Sequence, residues 1–488
     1  MSKADNYKGI LKATSIFGSA QLIVILITLI KSKFVAVLLG TTGYGINSLF
    51  NNPLNLILAI TSLGISFSAI RNIAIAKSQK NSDLYNKTLS IYYKLLWGTG
   101  ILGVITMLLL APLLSYWSFG NYNYTIDFII LSITLLFISF SNGYIGLLKG
   151  LQLTKLAAKV TIIPPLIATI ASIPLFIIFG IKGIVPALFI THFATFLISR
   201  YYAKNIQYTP IKLKIKDVLD GGKEMISLGF VMTLAGLLSQ LVGYLIILLI
   251  TRYGSIEEVG LYNAGFSMTT MYIGLIFSAI AADYFPRLAA ICNDNIQIRE
   301  VANQQGEIIL ILLCPIIVLF IVFLPFIIRI LLSDKFLTII PFIQLTTLGM
   351  ILRAVSWSMS YIPSAKGESK LFLVMETISC IANLALSYIG YRIDGLRGLG
   401  WSFILNYVFY TIIVYIIVKH RYQFKFSGTF YKVFCITSIF CILSLLISLL
   451  KGIPFYIFNI IISIIAIIYA ITELDKRIQL LSYIKKRF

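Results

Sequence analysis

Fourteen apolar segments of 20 to 29 residues follow one another along the chain: 13–39, 44–70, 88–114, 125–148, 158–180, 182–202, 225–251, 258–284, 304–332, 338–362, 370–391, 397–418, 431–450 and 453–472. A helix of about 20 residues reaches roughly 30 Å, the depth of a bilayer core. Inside that core every backbone polar group must be satisfied within its own segment, which helices achieve. The chain is therefore expected to be an all-α polytopic membrane protein with about fourteen transmembrane helices. Its 12% charged residues against about 25% in soluble domains leave little material for a water-facing domain. The first segment is too long for a signal-peptide core, and no small-residue cleavage site follows it, so it reads as a span.

The net charge of +22 does not indicate nucleic acid, because Lys and Arg lie in short connections rather than one patch. With the N-terminus inside, thirty of the forty cations fall in cytoplasmic segments and seven outside, as positive-inside insertion requires. Both termini are then cytoplasmic. The outer loops are short; the longest, SYWSFGNYNYT, suits an aromatic interfacial belt. The five cysteines have no metal-binding spacing and read as buried apolar groups. No phosphate-binding Gly-x4-Gly-Lys-Ser/Thr motif is present, and no metal or cofactor is expected.

The long basic connection from Arg200 to Lys223 separates two groups of six spans. This gives an N-terminal lobe at 1–215, a C-terminal lobe at 216–425, and an extra helix pair with a basic tail at 426–488. Two equally oriented six-span groups imply parallel repeats around a central cavity. The segments LLGTTGYGINSLFNN (38–52) and LITRYGSIEEVGLYNAG (249–265) echo one another. Each follows a helix with a polar face: Thr14, Gly18, Gln21 and Thr28 in the first, Thr233, Gly236, Gln240 and Tyr244 in the seventh. The glycines serve helix packing or a cavity equally well. Gln21 and Gln240 favour a cavity, since a glutamine buried in lipid needs partners.

The blocks KATSIFGSAQLIVILITLIKSKFVAVLLGTTGYG (12–45), TSLGISFSAIRNIA (61–74) and ADYFPRLA (282–289) resemble O-antigen and polysaccharide flippases of the Wzx type. These belong to the multidrug/oligosaccharidyl-lipid/polysaccharide exporter superfamily. The resemblance covers most of the first twelve spans and is strongest in the first ninety residues. It implies two six-helix lobes around a central cavity, alternating access, and export of an undecaprenyl-diphosphate-linked oligosaccharide. Membrane lipids, a polysaccharide polymerase and a chain-length regulator would be partners. Members commonly have twelve spans; fourteen fits the related lipid II flippases, whose first span also carries a cation at the place of Lys31.

Three cations lie at membrane depth: Lys31, Lys33 and Arg353. Each costs about 3 kcal/mol by insertion scales, so each needs a wet cavity or a partner. Lys31 sits about 60° round the helix from Thr28 and about 80° from Gln21, whereas Lys33 sits about 140° from Thr28. Lys31 is thus nearer the presumed cavity face, and Lys33 is free to snorkel. Thr346, Met350, Arg353, Trp357 and Tyr361 form a stripe in the tenth span. There Arg353 could hold a phosphate bidentately and the rings could stack on sugars. The alternative for Arg353 is a salt bridge to Glu376, itself a candidate for ion coupling or structural pairing. Arg71 closes the second span, as a topological charge or a headgroup contact. His192 reads as a satisfied packing residue.

The embedded balance of +2 favours an anionic cargo. It argues against a drug/cation antiporter of the same superfamily, which needs acids in its cavity. A membrane polysaccharide polymerase would need a large or charged outer loop. The chain is not expected to be an enzyme.

Overall fold

The computed structural model describes residues 3–79, 81–448, 450 and 453–478. Side chains before Ser19, among them Thr14 and Gly18, and the cations after Ile478 lie outside what is described. Among the described residues every regular element is helical: α1 (Lys3–Leu38), α2 (Gly40–Thr61), α3 (Ile65–Ser78), α4 (Ser82–Phe119), α5 (Thr125–Gly150), α6 (Thr154–Phe179), α7 (Ile184–Ala203), α8 (Ile215–Tyr253), α9 (Ile256–Ala290), α10 (Asn295–Leu331), α11 (Ile340–Ala365), α12 (Ser369–Tyr422), α13 (Gly428–Ile447) and α14 (Ile453–Ile478).

Among the described residues ten stretches are long and apolar enough to cross a membrane, or eleven when α2 and α3 are joined across their 44° bend. Two of the ten fold back on themselves. The 54-residue α12 has non-helical backbone at Asp394 and Gly395. Ser402 donates to the carbonyl of Leu386 at 2.7 Å. Sixteen residues of straight helix span about 24 Å, so the two arms of α12 are antiparallel. Between α6 and α7 a 3-10 turn at Gly180–Gly183 does the same, and a Cβ on Gly183 would stand 2.4 Å from the Leu175 carbonyl oxygen. The reversal in α12 falls between the expected 370–391 and 397–418 segments. A Cβ on Gly398 would lie 1.8 Å from the Gly390 oxygen. Gly398→Val should therefore lower stability by about 1–3 kcal/mol, seen as a lower melting temperature of the purified protein at unchanged helicity.

The expected single span at 44–70 is broken instead. Leu63 and Gly64 both take positive φ. A Cβ on Gly64 would meet the Gly229 oxygen at 2.3 Å, and one on Gly229 would meet the Leu63 oxygen at 2.3 Å. Ser68 then donates to the Met225 carbonyl at 2.7 Å. The break lets α3 and α8 approach backbone to backbone.

Packing divides the chain into two compact units, Met1–Gly260 with Leu331–Ser333, and Leu261–Ile330 with Asp334–Phe488. In the first, a buried core joins Ile65, Ala69, Ile73, Tyr92, Leu96 and Leu147. In the second, α10 is the central helix, with Ile309, Leu313, Ile317 and Ile321 fully buried. Asp294 precedes α10 and accepts from the backbone N–H groups of Gln297 at 3.1 Å and Ile296 at 2.8 Å. These bonds, Gln297 first, hold its carboxyl below the usual range. Arg477 near the end of α14 pairs with Glu307 at 3.0 Å and Glu473 at 2.5 Å. That fastens the last helix to α10. Large apolar side chains such as Leu109 and Ile177, 76% and 65% exposed, face outward, as a lipid-facing surface requires.

Candidate functional site

In the first unit Lys31 is half-buried on α1. Among the described residues no carboxylate lies within 4.0 Å of its amine. His192 of α7 is in electrostatic range of Lys31, and its Nε2 is buried without a hydrogen-bond partner. The expectation of a satisfied packing histidine is corrected on that point. An ammonium with no carboxylate in reach is complementary to an anion. Lys33 behaves differently, donating to the Leu332 carbonyl at 2.6 Å. It is held by protein rather than snorkelling. Gln21 and Thr28 are both exposed.

Arg71 forms an ion pair with Glu224 of α8 at 2.8 Å, both side chains about 60% exposed. Such pairs contribute about 0–1 kcal/mol. Arg71→Ala should accordingly change the melting temperature little, and less in high salt. A large loss of stability at any salt would show that Arg71 does more than pair with Glu224.

The polar face of α8 borders a cavity of about 650 Å³ within this unit. Thr233, Gly236 and Gln240 lie on one side; Asn52, Asn55 and Ser62 of the α2 region and Asn142 of α5 supply polar groups opposite, with Leu58, Ala59 and Leu237 between. Tyr244, expected on the same face, is 3% exposed and hydrogen-bonds Ser118 Oγ at 3.1 Å, outside the cavity lining. The lining is rich in amides and, among the described residues, holds no charge, a set suited to hydroxyl groups, which both donate and accept. The asparagines escape the sequence reading. Their signal is the spacing Asn52, Asn55, Ala59, Ser62, steps of three and four that put all four on one helix face.

In the second unit the salt bridge to Glu376, the alternative reading of Arg353, is not formed: among the described residues no ion pair within 4.0 Å joins them. Arg353 instead lies over the rings of Phe277 and Tyr407, 5.2 and 6.0 Å from their centroids. Cation–π contact steadies a guanidinium that has no carboxylate. Glu376 accepts a hydrogen bond from Tyr410. The stripe through Arg353 divides. Thr346 and Met350 are fully buried, and Thr346 hydrogen-bonds Thr269 at 3.2 Å. Trp357 stacks on Tyr284 at 5.4 Å, and Tyr361 packs against Trp357 at 4.8 Å. Both rings are thus already partnered, while each keeps part of its surface exposed. Among the described residues no group of three His, Cys, Asp or Glu side chains could hold a metal.

These features define a multi-pass helical membrane protein with a transporter fold and polar, cation-bearing regions within its helices. The chain belongs to the polysaccharide biosynthesis protein family, whose profile matches residues 34–341. It is 22% identical over 407 residues to a lipid III flippase of Escherichia coli K12, covering 82% of this chain and 95% of the relative. Among solved structures it resembles the lipid II flippase MurJ in an inward closed conformation, with a TM-score of 0.71 and 16% identity over 96% of this chain and 99% of the other. An inward-facing multidrug resistance MATE transporter of the MOP superfamily aligns with a TM-score of 0.66 and 18% identity over 82% and 94%. Those relatives are flippases and transporters rather than enzymes, in agreement with the sequence expectation.

Proposed function

We propose that this protein is a flippase that moves an undecaprenyl-diphosphate-linked oligosaccharide, an O-antigen-type repeat unit, from the cytoplasmic to the periplasmic leaflet by alternating access. The carrying observation is Lys31, an ammonium at membrane depth with no carboxylate within 4.0 Å among the described residues. It would attract the diphosphate as a compact point charge. Arg353 would supply a second cation in the C-terminal lobe. The amide-lined cavity beside Gln240 would receive sugar hydroxyls, while the lipid tail stays in the bilayer. In this reading the lobes are residues 1–215 and 216–425, residues 426–488 add a helix pair, and both termini are cytoplasmic in the inner membrane. With the reversals in α6–α7 and α12 counted, α2 and α3 taken as one bent span, and α9 included, the chain crosses the membrane fourteen times in this reading.

A lipid III flippase among the relatives supports a lipid-linked glycan as cargo. A cationic-drug antiporter is less well served by a cavity lining that holds amides and no acid. Deleting the gene should abolish the surface polymer and leave its lipid-linked repeat unit accumulating on the cytoplasmic leaflet, with restoration by the wild-type gene. A deletion strain with normal surface polymer would sink the proposal.

A further inference from the structure

A second cavity in the first unit, about 540 Å³, has a different chemistry. Its walls are aromatic: Tyr93 stacks on Tyr208 at 5.2 Å, Trp97 meets Phe140 edge-on at 4.9 Å, and Phe140 packs on Phe196 at 6.0 Å. Arg200 and Lys204 also line it. Both are exposed and lie at the end of α7. Among the described residues neither has a carboxylate within 4.0 Å, and the Lys204 amine rests over the Tyr201 ring at 4.4 Å. Among the described residues no Asn, Gln, Asp or Glu lines the cavity.

We infer that this cavity binds an anionic phospholipid of the surrounding bilayer, its phosphate at Arg200 and Lys204 and an acyl chain along the aromatic trough. Three observations favour that occupant. Two neighbouring cations with no acid within ion-pair distance among the described residues favour a negative group. They stand where an apolar stretch ending at Ala203 gives way to polar chain, which is headgroup depth. The trough has no amide to read hydroxyls, in contrast to the cavity at Gln240, and Trp97, 51% exposed, leaves its wall open to lipid. The volume lies in the range of ligand pockets, about 300–1,000 Å³. The cations also oppose the negative end of the α7 dipole. That role alone does not explain an open aromatic cavity next to them. The inference is independent of the cargo assignment.

Native mass spectrometry of the purified full chain tests it, with phosphatidylglycerol and phosphatidylcholine of identical acyl chains. Phosphatidylglycerol should be retained in preference. The double variant Arg200→Gln/Lys204→Gln should bind it about thirtyfold more weakly, as two headgroup cations would imply. Lys182→Gln, a cation at the other end of α7, should bind normally. Excess inorganic phosphate should not displace the lipid. A photoreactive phosphatidylglycerol should label the peptide containing Trp97, a readout that holds even should the double variant fail to fold. Equal retention of the two lipids, unchanged binding by the double variant, an equal loss in Lys182→Gln, displacement by phosphate, or labelling only elsewhere would each overturn the inference. Retention of a polyprenyl diphosphate but not of phosphatidylglycerol at this cavity would likewise overturn it and reassign the cavity to cargo.

Discussion

Lys31→Ala should reduce surface polysaccharide about tenfold to hundredfold in a strain that depends on this protein, at unchanged protein level. The size follows from losing one charged contact to a phosphate, on the order of 1.5–3 kcal/mol. Lys31→Arg should recover part of the activity, because the charge remains while its shape changes. Lys31→Glu should lose more than Ala, because the sign is reversed. That order separates an electrostatic role from a packing role. Removing an embedded charge relieves about 3 kcal/mol of insertion cost, so a purely structural reading expects Lys31→Ala to be neutral or stabilising and transport to be untouched. Normal polymer in both Lys31→Ala and Lys31→Glu would exclude the electrostatic role.

Gly260→Leu should destabilise the first unit by about 3 kcal/mol, at the upper end of overpacking costs. The two echoing segments of the sequence meet at this glycine. A Cβ on Gly260 would stand 2.0 Å from the Thr41 oxygen, and a Cβ on Gly45 would stand 2.0 Å from the Ile256 oxygen. Thr41 also donates to Glu257 at 2.9 Å. Backbone faces backbone on both sides, so no flexible side chain can yield. Gly45→Leu should match Gly260→Leu, and the double variant should cost less than the sum because both open the same crossing. Melting of the purified variants measures this. Two additive losses would show that the contacts are independent.

Helix number and breaks are legible in the sequence where a local signal exists. The reversal in α12 sits at YRIDGLRG, where charges and a glycine interrupt two apolar runs. The break at Leu63–Gly64 has no such signal. It arises from the approach of Gly229, 165 residues away, and an apolar run cannot announce a contact at that distance. The polar face of α8 is legible through Thr233, Gly236 and Gln240. Asn142, a single amide in an apolar helix, is not, because periodicity needs at least two members. The Arg353–Glu376 pairing fails for a related reason. Opposite charges at similar depth suggest a salt bridge, but Phe277, Tyr407 and Tyr410 take one partner each. The tyrosine and phenylalanine content of the chain gives no register for those contacts. Lys33 shows the same limit: its carbonyl partner, Leu332, lies 299 residues on.

The most direct measurement is translocation in proteoliposomes. The purified chain is reconstituted with a fluorescent undecaprenyl-diphosphate-linked oligosaccharide, and arrival in the opposite leaflet is read by accessibility to a membrane-impermeant quencher. Crossing should depend on the protein and fall about tenfold to hundredfold with Lys31→Ala. Transport of a cationic drug with no movement of the lipid-linked glycan would contradict it.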